Sequence, residues 1–327
     1  MEMLAQILSS GIAVGMIYAV IAFGFQLTFA TSGTLNFGQG EALMLGALVG
    51  LTCVDTFGMN YWVMIPVVCL FGMIQGSFVE LIGVRPAIKI KSEFGWIMST
   101  IALGIIFKNV AENIWGRDAL PFPSPLPMEP MSFLGANILP MEILVVFGAL
   151  AMMLLVEFFN RKTIYGKAVV ATANDRDAAG LMGINTSMVI TFSYALSSLT
   201  AAFAGVLIAP LTLTGATMGG ALGLKAFAVA IIGGLSSGMG IIVGGLILGI
   251  VETATGFYGP RCFIWHRFIH CWCFVFPLRL DYLGNPPCVY RGDIHLWWHL
   301  GIASPKGDRT LFGDGDLSLW NHCTDSD

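Results

Sequence analysis

Charged residues are scarce in this sequence. Of its 327 residues only 11% are Asp, Glu, Lys or Arg, whereas 56% are hydrophobic. A water-soluble domain usually has about 25% charged residues, so this chain has too little polar surface to cover a soluble globule. The composition predicts a polytopic helical membrane protein surrounded by a lipid bilayer, with no nucleic acid among its partners. The 40 glycines fit this class, because small residues allow membrane helices to approach closely.

The sequence also lacks the nucleotide-binding motif G-x-x-x-x-G-K-[ST]. That loop holds phosphates with its backbone amides and its lysine, so the chain cannot bind ATP in this mode. No catalytic constellation of side chains is recognisable either. The chain is therefore not predicted to be an enzyme, and no cofactor is expected.

Long apolar stretches indicate an all-α transmembrane helical bundle of seven or eight spans. One helix crosses the hydrocarbon with roughly 20 residues. The predicted spans lie at about 4–30, 41–54, 61–84, 95–115, 141–159 and 187–210. The segment 116–140, between the fourth and fifth spans, is rich in proline and cannot form a continuous helix.

The uncharged stretch 226–251 has two interpretations. It forms either one long helix weakened by glycine, or a half-helix, a turn at GGLSSGMG and a full span from about Ile241. The density of glycine favours a broken, re-entrant helix near 226–240, since interrupted helices are tolerated where they line a cavity or are buried in protein. In that case Gly233 and Gly234 bring backbone close to a substrate path. The alternative role for these glycines is close helix packing.

The distribution of lysine and arginine predicts the topology. The loops 85–95 and 160–185 hold three and four basic residues, whereas 116–140 holds only Arg117. By the positive-inside rule the two basic loops are cytoplasmic and the proline-rich segment is outside. Counting back along the spans places the amino terminus outside.

The chain changes character after about Gly259, so we divide it into a transmembrane domain, 1–258, and an atypical segment, 259–327. The second part contains all five His, five of the seven Cys and five of the eight Trp. Four of these residues have zinc-ligand chemistry and lie close together: His266, His270, Cys271 and Cys273. They fall within one apolar segment without a second ligand pair at a recognised spacing, so no metal site is predicted.

The stretch from Tyr165 to Pro210 joins a charged, small-residue segment directly to an apolar span. We predict a short helix there, with Asp175 capping its start, Asp177 stabilising its first turn and Gly183 ending it. Its apolar side chains would form a compact knob: Ala178, Ala179, Leu181 and Met182. The segment is either an ordinary cytoplasmic loop or an element that docks into a cleft of a partner protein. The candidate coupling residues are Gly166, Lys167, Asp175, Arg176, Asp177, Ala179, Gly180, Leu181, Gly183 and Ile184.

Polar residues interrupt the apolar pattern just before the second span, at Asn36, Gln39 and Glu41. A carboxylate at membrane depth is costly and usually faces a cavity or a partner. These residues therefore belong either to a translocation path or its gate, or to a simple helix cap in which Asn36 satisfies free amides.

Four further charged residues are given structural roles. Glu80 and Glu252 lie at span ends and are interpreted as interface anchors, since Arg85 is five residues from Glu80, too far for good helical pairing. Lys108 and Glu112 are predicted to form an i, i+4 ion pair.

Four stretches together resemble the branched-chain amino acid permease subunits of bacterial ATP-binding-cassette importers. They are SGTLNFGQGEALMLGA (32–47), GKAVVATANDRDAAGLMGIN (166–185), AFAGVLIAP (202–210) and LKAFAVAIIGGLSSGMGIIVGGLILGIVE (224–252). The resemblance covers residues 1 to about 258. It implies a multi-pass inner-membrane subunit that pairs with a second permease, two cytoplasmic ATPase subunits and a periplasmic amino-acid-binding protein. It also favours the docking interpretation of 166–184 over the ordinary loop.

Two alternatives remain beside the importer. The first is a secondary transporter driven by an ion gradient, for which Lys108, Glu112 and Glu41 are the candidate coupling residues. The second is a non-functional permease with a scrambled carboxyl terminus, because the family resemblance stops where the composition changes.

The segment 259–327 is expected to be out-of-frame translation, since a shifted frame in a GC-rich gene yields an excess of Cys, His, Trp and Arg. Resequencing the gene and reading its other frames tests this. Family-like sequence in another frame is the expected result, and its absence would contradict the hypothesis.

Overall fold

The computed structural model describes residues 2–90, 94–127, 129–133, 136–235 and 237–258. Eleven α-helices and one π-helical turn make up most of this part of the chain. Their bounds are α1 Glu2–Ser32, α2 Gln39–Asp55, α3 Tyr61–Val79, the π turn Glu80–Val84, α4 Arg85–Lys89, α5 Gly95–Trp115, α6 Pro140–Lys162, α7 Ile164–Asn174, α8 Arg176–Leu181, α9 Thr186–Ile208, α10 Met218–Gly233 and α11 Gly238–Tyr258. Two short strands, β1 Met131–Phe133 and β2 Ala136–Ile138, pair antiparallel with Met131 opposite Ile138.

Six segments in the described part of the chain are long and apolar enough to cross a membrane. They are Leu4–Ser32, Tyr61–Lys89, Gly95–Trp115, Pro140–Lys162, Thr186–Ile208 and Gly238–Phe257. Helices α2 and α10 are shorter, with 17 and 16 residues. The prediction of an all-α transmembrane bundle is therefore confirmed.

The stretch expected to hold a broken helix is interrupted. α10 ends at Gly233, and Gly234 follows with φ +82°, a left-handed conformation that favours glycine. α11 then begins at Gly238. The interpretation as one long helix is wrong, and the half-helix starts earlier than predicted, at Met218.

Helices α1 and α9 form the centre of the bundle. Most residues of both are buried, whereas few residues of α5 and α6 are. α9 packs against α1, α2 and α3, and α1 packs against α6, α10 and α11. The outer helices present large apolar side chains such as Ile105, Phe147 and Leu154, which suits contact with lipid.

Two hydrogen bonds place the start of α1 beside the proline-rich segment and the start of α6. The Asn137 amide donates to Gln6 Oε1 at 2.9 Å, and Ser10 Oγ donates to Glu142 Oε1 at 2.8 Å. The predicted topology puts both of these regions outside, so the contacts agree with it. Tyr61, at the start of α3, donates a hydrogen bond to the carbonyl oxygen of Val206, near the end of α9. The end of α9 therefore lies at this end of the bundle and its start at the opposite end.

Glycine brings the central helices into backbone contact. A Cβ atom on Gly205 of α9 would lie 2.2 Å from the Leu43 carbonyl oxygen of α2, and one on Gly249 of α11 would lie 2.4 Å from the Gly15 Cα of α1. Real Cβ atoms do not come so near to backbone atoms, so both helix crossings require glycine. Such contacts maximise packing between membrane helices, which lack a hydrophobic driving force for association.

Replacing Gly205 by Ala is expected to lower stability by about 2 kcal/mol, since the new methyl group must push α2 away from α9. The measurement is the thermal unfolding midpoint of the purified protein in detergent. Gly180→Ala is the matched control, because a Cβ atom there meets nothing within 4 Å. Equal midpoints for the two variants would contradict the close crossing of α2 and α9.

Candidate functional site

The segment between α6 and α9 folds into two helices, α7 and α8. The Gly166 amide donates to Thr163 Oγ1 at 2.9 Å, which caps the start of α7. Gly166 also lies against the last turn of α6, where a Cβ atom would come within 2.3 Å of the Phe159 carbonyl oxygen. α7 is therefore folded back onto α6 at a position that requires glycine.

Helix α8 has the caps that the sequence predicts. Asp175 Oδ1 accepts hydrogen bonds from the Asp177 amide at 3.0 Å and the Ala178 amide at 2.9 Å. Asp177 lies in the first turn, where a negative charge interacts favourably with the helix dipole. Gly183 follows the last turn with φ +86°, as expected for a glycine that ends a helix. Both predicted ends are confirmed.

The exposed face of α8 and of the turn after it is apolar. Leu181 is 90% exposed and Met182 83% exposed. Ala179 is buried within this chain, so the exposed apolar surface consists of Ala178, Leu181 and Met182. Of the predicted coupling residues, the exposed ones are Lys167, Asp175, Arg176, Asp177, Gly180, Leu181 and Gly183; Gly166 and Ala179 are buried, and Ile184 is half-buried.

A short connection joins α8 to the centre of the bundle. Asn185 caps α9, with its Oδ1 accepting a hydrogen bond from the Met188 amide at 3.2 Å. α8 ends at Leu181 and α9 begins at Thr186. The short segment 182–185 thus connects α8 to a helix that packs against α1, α2 and α3.

A cavity of about 280 Å³ lies where α2, α5 and α10 meet and is open on one side. Glu41 is the charged residue among those that line it, and phenylalanine and isoleucine side chains form much of the wall. Glycines line much of this cavity, and at one edge of it α2 and α10 are in backbone contact, since a Cβ atom on Gly40 would lie 2.1 Å from the Gly219 carbonyl oxygen. The glycines that line it are Gly40, Gly104, Gly219, Gly220 and Gly223.

The other two polar residues of the predicted gate are buried behind this cavity. Gln39 is fully buried, and its Nε2 donates to the Ser197 carbonyl oxygen at 2.9 Å. Asn36 is also fully buried, and its Oδ1 accepts a hydrogen bond from the Gly38 amide at 3.0 Å. Asn36 thus satisfies a free backbone amide, which matches its interpretation as part of a helix cap. Glu41 alone of the three reaches the cavity wall.

Gly233 and Gly234 do not line the cavity. A Cβ atom on Gly233 would lie 2.6 Å from the Gly240 carbonyl oxygen, so Gly233 allows α10 and α11 to cross closely. Gly234 supplies the left-handed residue that ends α10. These positions match the packing interpretation of the glycine-rich stretch.

The interpretation of Glu80 as an interface anchor is wrong. Its side chain is buried and forms two hydrogen bonds with Arg85, from Nε at 3.0 Å and from Nη2 at 3.1 Å. The two residues are five positions apart, which a regular α-helix would separate. Here the chain forms a π-helical turn from Glu80 to Val84, whose wider spacing brings them onto one face. Such turns often occur at functional sites.

Glu252 likewise has a partner within the chain. Lys225 Nζ lies 2.6 Å from Glu252 Oε1, and Tyr18 donates to Glu252 Oε2 at 3.0 Å. This cluster joins α10, α11 and α1. Sequence reasoning missed it because Lys225 and Glu252 are 27 positions apart and belong to different helices.

The predicted pair on α5 is confirmed. Lys108 Nζ lies 3.8 Å from Glu112 Oε1, and Arg117 Nε lies 3.3 Å from Glu112 Oε2.

Within the described ranges, no group of three or more His, Cys, Asp or Glu is placed to hold a metal ion. The histidines and cysteines at 266–273 lie outside these ranges.

Comparison with known proteins gives consistent matches. The family model described as "Branched-chain amino acid transport system / permease component" matches residues 7–276. The high-affinity branched-chain amino acid transport system permease protein LivH of Escherichia coli (strain K12) is 30% identical over 272 residues, covering 76% of this chain and 85% of that protein. BraD of Pseudomonas aeruginosa is 27% identical over 261 residues, with the same coverage. A probable LivH of Methanocaldococcus jannaschii is 29% identical over 268 residues, covering 79% and 82%. No solved structure matches the chain.

Replacing Lys225 by Met is expected to destabilise the bundle by about 2 kcal/mol, because it removes the cation from Glu252. This loss is below that of a fully buried pair, since the two side chains are 23% and 25% exposed. The thermal unfolding midpoint in detergent measures it. Arg161→Met is the control, because the Arg161–Glu157 pair is exposed and should contribute little. Equal midpoints would show that the Lys225–Glu252 pair does not stabilise the bundle.

Proposed function

The chain belongs to the family of branched-chain amino acid transport permease components, and we propose on this basis that it is the membrane subunit of an ATP-binding-cassette importer. It is a multi-pass inner-membrane protein, in line with its relatives and its membrane-length helices. Its proposed cargo is a branched-chain or related amino acid. The chain carries out no covalent chemistry, and ATP is hydrolysed by separate partner subunits.

The observation that supports this proposal most is the form of α8. The helix is capped at both ends and exposes Leu181 and Met182 beside the charges of Arg176 and Asp177. Large apolar side chains exposed beside polar and charged residues are typical of a surface that a partner protein covers. Since the sequence lacks a phosphate-binding loop, an ATP-driven mechanism requires such a partner.

The proposed mechanism is alternating access. Closure of the two ATPase subunits pushes the 166–184 segment, and α9 passes the movement into the bundle. We place the translocation path at the cavity lined by Glu41, where a second permease subunit would close the open side. A periplasmic binding protein would deliver the amino acid at the outer end, where the proline-rich segment lies.

The ion-coupled alternative has one observation in its favour, the Lys225–Glu252 pair between membrane helices. Charged pairs at membrane depth are used for ion coupling in some transporters. The pair is already satisfied by Tyr18 and joins three helices, which favours a structural role. Uptake that continues in an uncoupler but stops on ATP depletion would exclude ion coupling.

We propose that residues 1–258 form the permease domain and that 259–327 are out-of-frame translation. The composition change supports this division, although the family model extends to residue 276. A chain with a restored frame should complement a transport-deficient strain better than the present chain. Equal complementation would contradict the proposal.

Gly180→Arg is expected to reduce co-purification of the ATPase subunits at least tenfold, because a bulky charged side chain blocks docking of α8 at a cost of about 1.4 kcal/mol or more. The substitution should leave the fold intact, as Gly180 has no neighbour within 4 Å of a Cβ atom. The measurement is the amount of ATPase recovered with the tagged chain from membranes that contain all subunits.

Thr56→Arg is the matched control. Thr56 is exposed, but lies after α2, at the opposite end of the bundle from α8. This variant should retain the ATPase. Equal recovery with both variants would contradict docking at 166–184, and absence of ATPase from the unmodified chain would contradict the importer itself.

A further inference from the structure

Helix α9 carries three polar side chains at a spacing of three residues, Thr191, Tyr194 and Ser197. Residues at this spacing lie near one another on a helix surface. Each side chain is hydrogen-bonded to a different part of the chain. They are described below in order of increasing distance from α8. We call this set and its partners the α9 polar ladder.

The first rung joins the start of α9 to the π turn. Thr191 Oγ1 donates to Glu80 Oε2 at 2.9 Å, and Arg85 Nη2 donates to Thr191 Oγ1 at 2.7 Å. Together with the Glu80–Arg85 pair these bonds form a closed triangle. A charge-assisted network of this kind is stronger than a neutral hydrogen bond, so the start of α9 is firmly attached to the end of α3.

The second rung joins α9 to the turn between α1 and α2. Tyr194 is fully buried, and its hydroxyl lies 2.8 Å from Thr34 Oγ1. Thr34 is in turn hydrogen-bonded to Ser32 at the end of α1. α3 approaches closely at this level, since a Cβ atom on Gly76 would lie 2.3 Å from the Tyr194 carbonyl oxygen. The α1–α2 turn is thus attached to α9 by a buried side-chain bond.

The third rung reaches the first residue of α2. Ser197 Oγ donates to Gln39 Oε1 at 3.0 Å and also bonds the Gly24 carbonyl oxygen at 2.8 Å. Gln39 Nε2 returns a bond to the Ser197 backbone. Glu41, two residues further along α2, lines the cavity. The three rungs therefore lie at successive levels of α9, and the last one reaches Gln39, two residues from Glu41.

We propose that the α9 polar ladder transmits movement of α8 to the α1–α2 turn and so controls the cavity beside Glu41, an inference that rests on the proposed function. Its members are positioning residues, which do not touch the cargo. Apolar contacts between helices are non-directional. Buried hydrogen bonds have a defined length and direction, and a broken one leaves a costly unpaired group. Rotation or tilt of α9 must therefore carry the turn with it.

The first test compares Tyr194→Phe with Tyr61→Phe in the full chain, assembled with its ATPase, permease and binding-protein partners in liposomes. Both variants remove the hydroxyl of a buried tyrosine that bonds a partner. Tyr194 belongs to the ladder, whereas Tyr61 bonds the Val206 carbonyl at the other end of α9. The readout is labelled leucine taken up per ATP hydrolysed.

For Tyr194→Phe this ratio should fall about five-fold, the factor that corresponds to loss of one net hydrogen bond. Tyr61→Phe should leave the amount of leucine taken up per ATP hydrolysed unchanged, even if the two variants lose the same amount of stability. Thr34→Val removes the other partner of the same hydrogen bond. It replaces Tyr194→Phe in this test if that variant does not accumulate. Equal ratios for the ladder variant and the Tyr61 control would overturn the proposal.

The second test needs no partner subunit. Thr191→Val should raise amide hydrogen exchange about five-fold in residues 33–38, which Thr191 does not contact, because loosening the first rung weakens the second. Thr212→Val removes a threonine hydroxyl beyond the outer end of α9 and should leave 33–38 unchanged. Unchanged exchange in Thr191→Val contradicts the ladder, whatever drives transport. If exchange in 33–38 changes but uptake does not require ATP, the proposal of the α9 polar ladder stands and the proposal of an ATP-driven importer is rejected.

Discussion

Contact between backbones at glycine sets the geometry of this bundle. Lipid is as apolar as a leucine side chain, so membrane helices gain little by hiding apolar surface from each other and depend on close packing instead. Gly205 against α2, Gly249 against α1 and Gly40 against α10 each leave no room for a Cβ atom. Gly40 also lines the cavity, so one of these close crossings lies beside the candidate path.

Polar side chains then fix which way the helices face. Apolar contacts are non-directional, whereas the buried hydrogen bonds of Glu80, Tyr194 and Gln39 define one arrangement. Each of these groups is satisfied by a partner in the chain, as burial in a membrane requires. Thr191, Tyr194 and Ser197 place these hydrogen bonds on α9, the helix that follows α8 in the chain and contacts the α1–α2 turn.

Composition, periodicity and capping chemistry were enough to predict the membrane class, the interrupted helix and both ends of α8. Asp175 and Gly183 are local signals, since a cap depends on residues a few positions away. The Glu80–Arg85 pair was missed because a regular helix was assumed where the chain forms a π turn. The Lys225–Glu252 pair and the burial of Gln39 depend on which helices become neighbours. No local pattern contains that information.

We propose that α8 carries the force of a partner ATPase into the bundle. A photo-activated cross-linking residue at position 182, where the native Met182 is 83% exposed, tests this in cells that produce every subunit. A covalent product of this chain with the ATPase subunit is expected, and it should be absent when the same group replaces Thr56. A cross-link from position 182 to lipid alone, or to no ATPase, would contradict the proposal.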